Sequence, residues 1–166
     1  MMNPLLDIPF ISNTRKNHAL EHATIHLITR KLPGNAFAGH SNPAGFILIG
    51  DANTEMVVDT ATEALNHLKQ GHSSLAIHEG CGTNYVVIGG LASILSLWVM
   101  GDSKTNSERW SRFPLLFAVS IIAFLVGRSV GPSLQKQVTT DANLTGMELA
   151  SVSKIAGKVH WIQTRG

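Results

Sequence analysis

Three histidines and one glutamate within nine residues form the part of the chain best suited to chemistry. His18 and His22 are four residues apart, Glu21 lies between them, and His26 follows after four more. Four residues advance a helix by about one turn, so the three imidazoles would project from one helix face. Two imidazoles placed in this way can bind a divalent metal ion, and a neighbouring glutamate can act as the general base for a metal-bound water. The segment predicts His18 and His22 as metal ligands and Glu21 as a catalytic residue.

The surrounding residues favour a helix for this segment. Candidate N-caps stand at residues 12–14, the Leu-Pro-Gly run at 32–34 is a stop signal, and nothing between them breaks a helix. Leu20, Ala23 and Leu27 fall on the side opposite the histidines, where they can pack on a core. The alternative is a polar helix face that contains histidines without binding a metal.

A second set of metal-ligand residue types occurs at His78-x-x-Cys81. Imidazole and thiolate are both good ligands for zinc, and three residues of spacing allow a turn to direct both inward. Since His18 and His22 supply only two ligands, His78 and Cys81 are predicted to complete the set. The expected cofactor is zinc or another divalent transition metal. His26, His40 and Glu63 are reserve candidates.

The number of protein ligands decides what such a metal could do. If both His78 and Cys81 bind, four protein ligands close the coordination shell and the metal is structural. If only one binds, a water can take the fourth position and Glu21 can deprotonate it. A nucleophilic role for Cys81, with His78 or His22 as its base, is a further alternative. The remaining histidines are expected to be ordinary surface or hydrogen-bonding residues: His67, His72 and His160.

The chain is poor in charge, and the deficit is concentrated in two segments. Charged residues make up 14% of the sequence, compared with roughly 25% in typical globular domains. Residues 85–100 and 113–127 contain no charged residue, and Trp98 and Trp110 bracket the polar stretch between them. Long apolar runs flanked by tryptophan are typical of membrane-spanning helices. We therefore predict a transmembrane hairpin with membrane lipid as a partner; two buried helices of a soluble protein are the alternative.

The remaining pattern predicts an α+β fold with a small mixed sheet and two helices in the N-terminal half. The second helix is expected at 54–70, and Leu75–Ile77 is expected to be a short strand. The four other strands are expected at 36–40, 46–49, 147–155 and 159–164. Residues 1–84 and 128–166 would form one metal-site domain, into which the transmembrane hairpin of residues 85–127 is inserted.

Composition also bears on location and partners. The N-terminus has no basic region before its short apolar run, so no secretory signal peptide is expected. The single cysteine fits a reducing compartment. We therefore expect an integral protein of the inner (cytoplasmic) membrane whose soluble part is cytoplasmic. A net charge of +2 argues against nucleic acid as a partner, and a membrane-protein complex or a homo-oligomer is left open.

The two motifs together resemble a known family. The segment Asn-His-Ala-Leu-Glu-His-Ala-Thr-Ile at 17–25, followed by His-x-x-Cys-Gly-Thr-Asn at 78–84 and an apolar run, resembles an uncharacterised membrane-protein family of photosynthetic and related bacteria, domain of unknown function 6391. The motifs are also similar to those of YqhQ-like bacterial membrane proteins. The resemblance implies a membrane-embedded metal-site protein and supplies no reaction. The motif positions that it carries over are His18, Glu21, His22, His78 and Cys81.

The order His-x-x-Glu-His is that of the inverted zincins. This chain is far shorter than those peptidases and has no obvious downstream glutamate on a ligand helix, apart from Glu63. One functional hypothesis is a membrane-anchored zinc hydrolase, such as a peptidase, that uses Glu21 as general base. The alternative is a non-enzymatic subunit or assembly factor of a membrane complex, for example a photosynthetic one, with a structural metal or a histidine-ligated cofactor. A third possibility is a hydrogen-bonded histidine core, so enzymatic activity is left open.

Overall fold

The computed structural model describes residues 4–101 and 103–166. The chain divides into two compact units. The first, here called the α+β unit, comprises Met1–His78 and Gln135–Gly166, and the second, the hairpin unit, comprises Glu79–Leu134. The α+β class predicted from the sequence is confirmed.

Residues 4–78 and 135–166 of the α+β unit form two long helices, two short helical elements and a four-stranded sheet. The helices are α1 (Pro9–Lys31), α2 (Thr54–Lys69), a 3₁₀ helix (Ser73–Ala76) and a π-helical turn (Gln135–Thr139). The strands are β1 (Ala38–Asn42), β2 (Gly45–Ile49), β3 (Glu148–Ala156) and β4 (Val159–Arg165). The prediction of a strand at Leu75–Ile77 is wrong, because Leu75 belongs to the 3₁₀ helix.

The C-terminal strands complete the sheet that the N-terminal half begins. The strand order is β1-β2-β4-β3, and Ile47 of β2 lies opposite Trp161 of β4. All three pairings are antiparallel, so the prediction of a mixed sheet is corrected. Gly45 begins β2 with φ 152°, and a Cβ atom there would collide with the carbonyl oxygen of Ile162. A glycine at this position therefore permits the close approach of β2 and β4.

Helix α1 begins earlier than the sequence predicted. Its first residue is Pro9, and Ile8 is the N-cap, in place of the Ser, Asn and Thr at 12–14. Proline suits the first helical position because its fixed φ is already helical and its missing N–H would have had no intrahelical partner. The predicted C-terminal stop is confirmed, since the helix ends at Lys31 and Leu32 caps it.

Helix α1 is the central element of its unit. It packs against α2, the first two strands, the 3₁₀ helix and the π-helical turn. Leu20, Ala23 and Leu27 are buried in the core as predicted, but the opposite side of the helix is largely covered as well. Buried polar groups require partners, and Asn17 illustrates how α1 meets this need. Its amide donates to the Asn42 carbonyl and accepts from the Thr164 hydroxyl.

The hairpin unit contains two long apolar helices, α3 (Gly82–Met100) and α5 (Phe113–Leu134), with the short α4 (Asn106–Ser111) between them. Both long helices are long and apolar enough to cross a membrane. In their most apolar stretches only 6% and 11% of the residues are buried. A core helix of a soluble protein would have most of its residues buried, so these faces suit a lipid environment better.

Small residues allow α3 and α5 to pack closely. A Cβ atom added at Gly127 would lie 2.5 Å from Cγ1 of Ile88, and one at Gly131 would collide with the Asn84 side chain. Ala123 is also buried, which gives α5 a row of small residues at four-residue intervals. On α3, by contrast, no described atom would lie within 4 Å of a Cβ atom added at Gly89, so this glycine is not at the close contact.

Candidate metal centre

His18 and His22 are oriented by backbone carbonyls at two separate places in the α+β unit. Nδ1 of His18 lies 2.9 Å from the Thr139 carbonyl oxygen, and Nδ1 of His22 lies 2.7 Å from that of Ala76. A carbonyl oxygen only accepts, so Nδ1 of each ring carries the proton and donates it. In the neutral imidazole Nε2 then holds the lone pair. Both histidines are therefore fixed in the tautomer that can bind a metal through Nε2.

The imidazoles of His18, His22 and His78 lie beside one another. Ring centroids are 4.2 Å apart for His18 and His22, and 5.6 Å apart for His22 and His78. Two imidazoles on one tetrahedral ion, with Zn–N near 2.0–2.1 Å, have centroids roughly 5 Å apart. The two observed separations lie on either side of that value. Nitrogen atoms of His18 and His22 lie within 4.8 Å of each other, a separation that small side-chain rotations can reduce.

His78 is held by a buried glutamine. The Oε1 atom of Gln135 accepts from the backbone N–H of His78 at 2.9 Å, and its Nε2 atom donates to the His78 carbonyl at 3.0 Å. The side-chain amide thus pairs with the backbone as a neighbouring strand would. Gln135 is fully buried, in the first position of the π-helical turn. It fixes the end of the segment that brings the His78 ring next to His22.

His26 continues the row of imidazoles but is turned differently. Its Nε2 atom donates to the Ile77 carbonyl at 2.7 Å, so its lone pair is on Nδ1. Its ring centroid lies 4.9 Å from that of His78. The carbonyls that orient His22 and His26 therefore come from consecutive residues, Ala76 and Ile77. His26, a reserve candidate from the sequence, thus has its ring next to that of His78.

Glu21 is buried and directed toward β1. Its Oε2 atom accepts a short hydrogen bond from the Ser41 hydroxyl. A Cβ atom at Gly39 would lie 2.5 Å from Oε1, so the glycine leaves the space that this carboxylate occupies. A buried carboxylate requires hydrogen-bond donors, and Ser41 supplies one. The Glu21 carboxylate, on α1, is thus fixed against β1, one residue before His22 in the chain.

Cys81 belongs to the hairpin unit, where it is buried at the N-cap of α3. It follows His78 by three residues, and three residues span at most about 10 Å of chain. Chain connectivity therefore limits how far its sulfur can lie from His78. The partial positive charge at a helix N-terminus favours an anionic group such as a thiolate.

Two reserve candidates lie away from the α1 histidines. His40 is exposed on β1 between Gly39 and Ser41, which both face Glu21, so its side chain points to the other face of the sheet. Glu63 lies on α2 and forms an ion pair with Lys31, the last residue of α1, with Nζ to Oε2 at 2.6 Å. The hydrogen bond from Lys31 is the main cause that lowers the pKa of Glu63.

His160, expected to be a surface or hydrogen-bonding histidine, is buried on β4 and contacts Thr54 at the start of α2. Its Nε2 atom lies 3.3 Å from the Thr54 hydroxyl, and Nδ1 is buried without a hydrogen-bond partner among the described residues. Burial lowers the pKa of its imidazole, so the neutral form is favoured. It lies outside the row of four imidazoles and belongs to the packing of the unit.

The groups that orient these imidazoles were not predicted from the sequence. These are the carbonyls of Ala76, Ile77 and Thr139 and the amide of Gln135. Every residue has a backbone carbonyl, so residue type does not identify the three carbonyls. Gln135 differs because its hydrogen bonds come from a polar side chain, which is visible in the sequence. All four residues lie within a few positions of the points where the chain leaves the α+β unit after His78 and returns to it at Gln135.

These features define a class of protein: an α+β unit with a row of imidazoles, interrupted by a hairpin of two helices apolar enough to cross a membrane. The chain belongs to the family described as Domain of unknown function (DUF6391), whose model matches residues 13–152. That range includes all the motif residues from His18 to Cys81. No curated protein and no solved structure matched the chain.

Proposed function

We propose that this protein is a membrane-anchored, metal-binding protein whose centre is built around His18 and His22. The observation that carries the proposal is the pair of Nδ1–H groups donated to backbone carbonyls. Metal-binding histidines almost always donate their other ring N–H to a carbonyl or carboxylate, which fixes the tautomer and the ring orientation. The adjacent ring of His78 supports the same proposal.

The proposed ion is zinc, or another divalent transition metal, with His78 and Cys81 as the remaining ligands. Imidazole and thiolate together suit zinc better than hard cations, which prefer oxygen. His78 qualifies because its ring lies next to His22, and Cys81 qualifies because it is three residues further along the chain. Coordination by all four would make the metal structural.

Membrane anchoring is the second part of the proposal. The hairpin would lie in an inner membrane, and the single cysteine supports a cytoplasmic position for the α+β unit. The likeness of the two motifs to YqhQ-like bacterial membrane proteins belongs to this proposal too, since both place a histidine-cysteine segment just before a membrane span. A membrane complex or a second copy of the chain is the proposed kind of partner.

Elemental analysis of the full chain, purified in detergent without added metal, tests the metal. We expect about one equivalent of zinc or a similar ion per chain in the wild type and in His40→Ala, whose histidine lies on the other face of the sheet. In cobalt-substituted protein, Cys81→Ser should remove the thiolate-to-cobalt charge-transfer absorption. Protein that contains no stoichiometric metal, and takes none up when supplied with zinc, would overturn the proposal.

Hydrolysis at the metal, for example of a peptide, is the second candidate function. The observation that favours it is a buried carboxylate, Glu21, next to a proposed ligand in the chain. As general base, Glu21 would take a proton from the water whose oxygen bonds to the peptide carbonyl carbon, and would give that proton to the amine released when the C–N bond breaks. A metal held by the histidines would supply Lewis-acid activation. The order His-x-x-Glu-His, which is that of the inverted zincins, supports the same assignment of roles.

Glu21→Gln separates catalysis from structure. The amide can still accept from the Ser41 hydroxyl and fills the same space above Gly39, so we expect the fold and the metal to be retained. A general base contributes roughly 10²–10⁴-fold, so hydrolysis of a peptide library should fall by that factor. Activity unchanged in Glu21→Gln would exclude the role of Glu21.

Absence of hydrolysis in the metal-loaded wild type would favour the non-enzymatic alternative. In that case the protein is a subunit or assembly factor of a membrane complex, with a structural metal or a histidine-ligated cofactor. It should then co-purify with a larger complex from its native membrane. Glu21→Gln would change stability alone.

A further inference from the structure

A second pair of histidines faces each other where the chain passes from α2 to the 3₁₀ helix. Nδ1 of His67, on the last turn of α2, lies 3.0 Å from Nδ1 of His72, which precedes the 3₁₀ helix. Their ring centroids are 5.0 Å apart with an interplanar angle of 61°. His67 is partly exposed and lines a surface depression with Asp59, Glu63, Asn66 and Gln70, and His72 is exposed.

A carboxylate lies on the far side of His67. Its Nε2 atom is 3.7 Å from Oε1 of Glu63, and the other oxygen of Glu63 is held by Lys31 at 2.6 Å. This arrangement favours the proton of His67 on Nε2, facing the negative charge, which leaves the lone pair on Nδ1. A carboxylate behind a histidine in this way is the usual support of a metal-binding imidazole.

The spacing of the two nitrogens fits a single small cation. Two nitrogen ligands of a tetrahedral ion, with Zn–N near 2.0–2.1 Å, lie about 3.3–3.4 Å apart. The observed 3.0 Å needs a widening of only a few tenths of an ångström, which exposed side chains can make by small rotations. Waters from the open depression could complete the coordination shell.

We propose that His67 and His72 bind a divalent transition-metal ion such as Zn²⁺ at the surface, with Glu63 as the positioning residue of His67. The site is independent of the centre at His18 and His22. It joins the end of α2 to the start of the 3₁₀ helix across the turn at Gly71, which has φ 91°. A bound ion would therefore hold the two ends of this turn together and restrict its motion.

Isothermal titration of Zn²⁺ into the full chain in detergent, purified with its resident metal, tests the site. The wild type and His40→Ala should bind one additional equivalent of Zn²⁺. His67→Gln and His72→Gln should each weaken that binding at least tenfold, and the double variant should abolish it. Glu63→Gln should weaken it by about 10–100-fold, the usual effect of losing a carboxylate behind a ligand.

Equal Zn²⁺ affinity in the wild type and the double variant would overturn the proposal and leave a hydrogen bond between two histidines. Both substitutions are at partly exposed positions, so circular dichroism should show an unchanged fold. This result can be distinguished from the test of the buried centre. The resident metal should be lost in His22→Ala, whereas binding of the additional equivalent of Zn²⁺ should depend on His67 and His72.

Discussion

Alanine in place of His22 is expected to remove the resident metal completely. His22 is fully buried, its Nδ1–H is fixed by the Ala76 carbonyl, and its ring lies between those of His18 and His78. Its removal would take away the central imidazole of the row, and the remaining ligands could not hold the ion. Elemental analysis of the purified variant measures this, with His40→Ala as the matched control.

The same substitution should lower stability for two reasons. The Ala76 carbonyl loses its buried donor, which costs about 1–3 kcal/mol. When the free metal concentration is about 1,000 times the dissociation constant, binding stabilises the folded state by about 4 kcal/mol. The variant would lose this stabilisation too. Thermal denaturation with and without a chelator separates the two losses: chelator should destabilise the wild type and have no effect on His22→Ala.

Retention of a full equivalent of metal by His22→Ala would contradict the assignment of His22 as a ligand. His18→Ala provides a second test of metal loss with less structural damage, because His18 is less buried than His22. It should also lose the metal, with a smaller effect on the stability of the metal-free protein. A wild type that is insensitive to chelator would support the hydrogen-bonded histidine core in place of a metal.

Leucine in place of Gln135 is the other substitution with a large expected effect. The change removes both hydrogen bonds to the His78 backbone and leaves its partly buried N–H and carbonyl without these partners. A fully buried group left unpaired costs about 1–3 kcal/mol, so the loss for the two groups is at most about 6 kcal/mol. Metal affinity should fall as well, because the segment that carries the His78 ring is no longer fixed. Thermal denaturation and a competition titration against a zinc chelator measure the two effects.

Gln137→Leu is the matched control, since Gln137 lies on the same π-helical turn with its side chain exposed. It should leave stability and metal affinity close to those of the wild type. Gln135→Glu should be intermediate, because a carboxylate can accept from the His78 N–H but cannot donate to its carbonyl when ionised. Equal stability of Gln135→Leu and Gln137→Leu would show that the pairing with His78 contributes little.

Periodicity was sufficient to predict most of the elements. Helix α2 and the four strands of the sheet lie close to their expected ranges because alternation and helical spacing follow directly from which face is buried. The errors occurred where local signals conflict or are short. An apolar run such as Leu75–Ile77 suits a strand or a buried helical turn equally well. Helix α1 starts at Pro9, and the three polar residues at 12–14 lie inside the helix and do not cap it.

The candidate site was less predictable than the fold. The α1 histidines were apparent because all of them lie on a single helix, so their spacing defines their face. Their hydrogen-bond partners come from backbone carbonyls more than 50 residues away in the chain, and a carbonyl leaves no trace in residue type. The pairing of His67 with His72 was also missed, because it depends on the tight turn at Gly71 between α2 and the 3₁₀ helix.

The hydrogen bond from His18 to the Thr139 carbonyl has a consequence for biogenesis. Thr139 follows α5 in the chain, so a ribosome completes both hairpin helices before it makes the acceptor that orients His18. His22 and His26, whose acceptors precede α3, can be fixed earlier. The full set of oriented imidazoles therefore exists only in a chain translated past the second hairpin helix. Metal uptake by that set would mark translation past the hairpin, and chains truncated before Thr139 would be left without a fully oriented site.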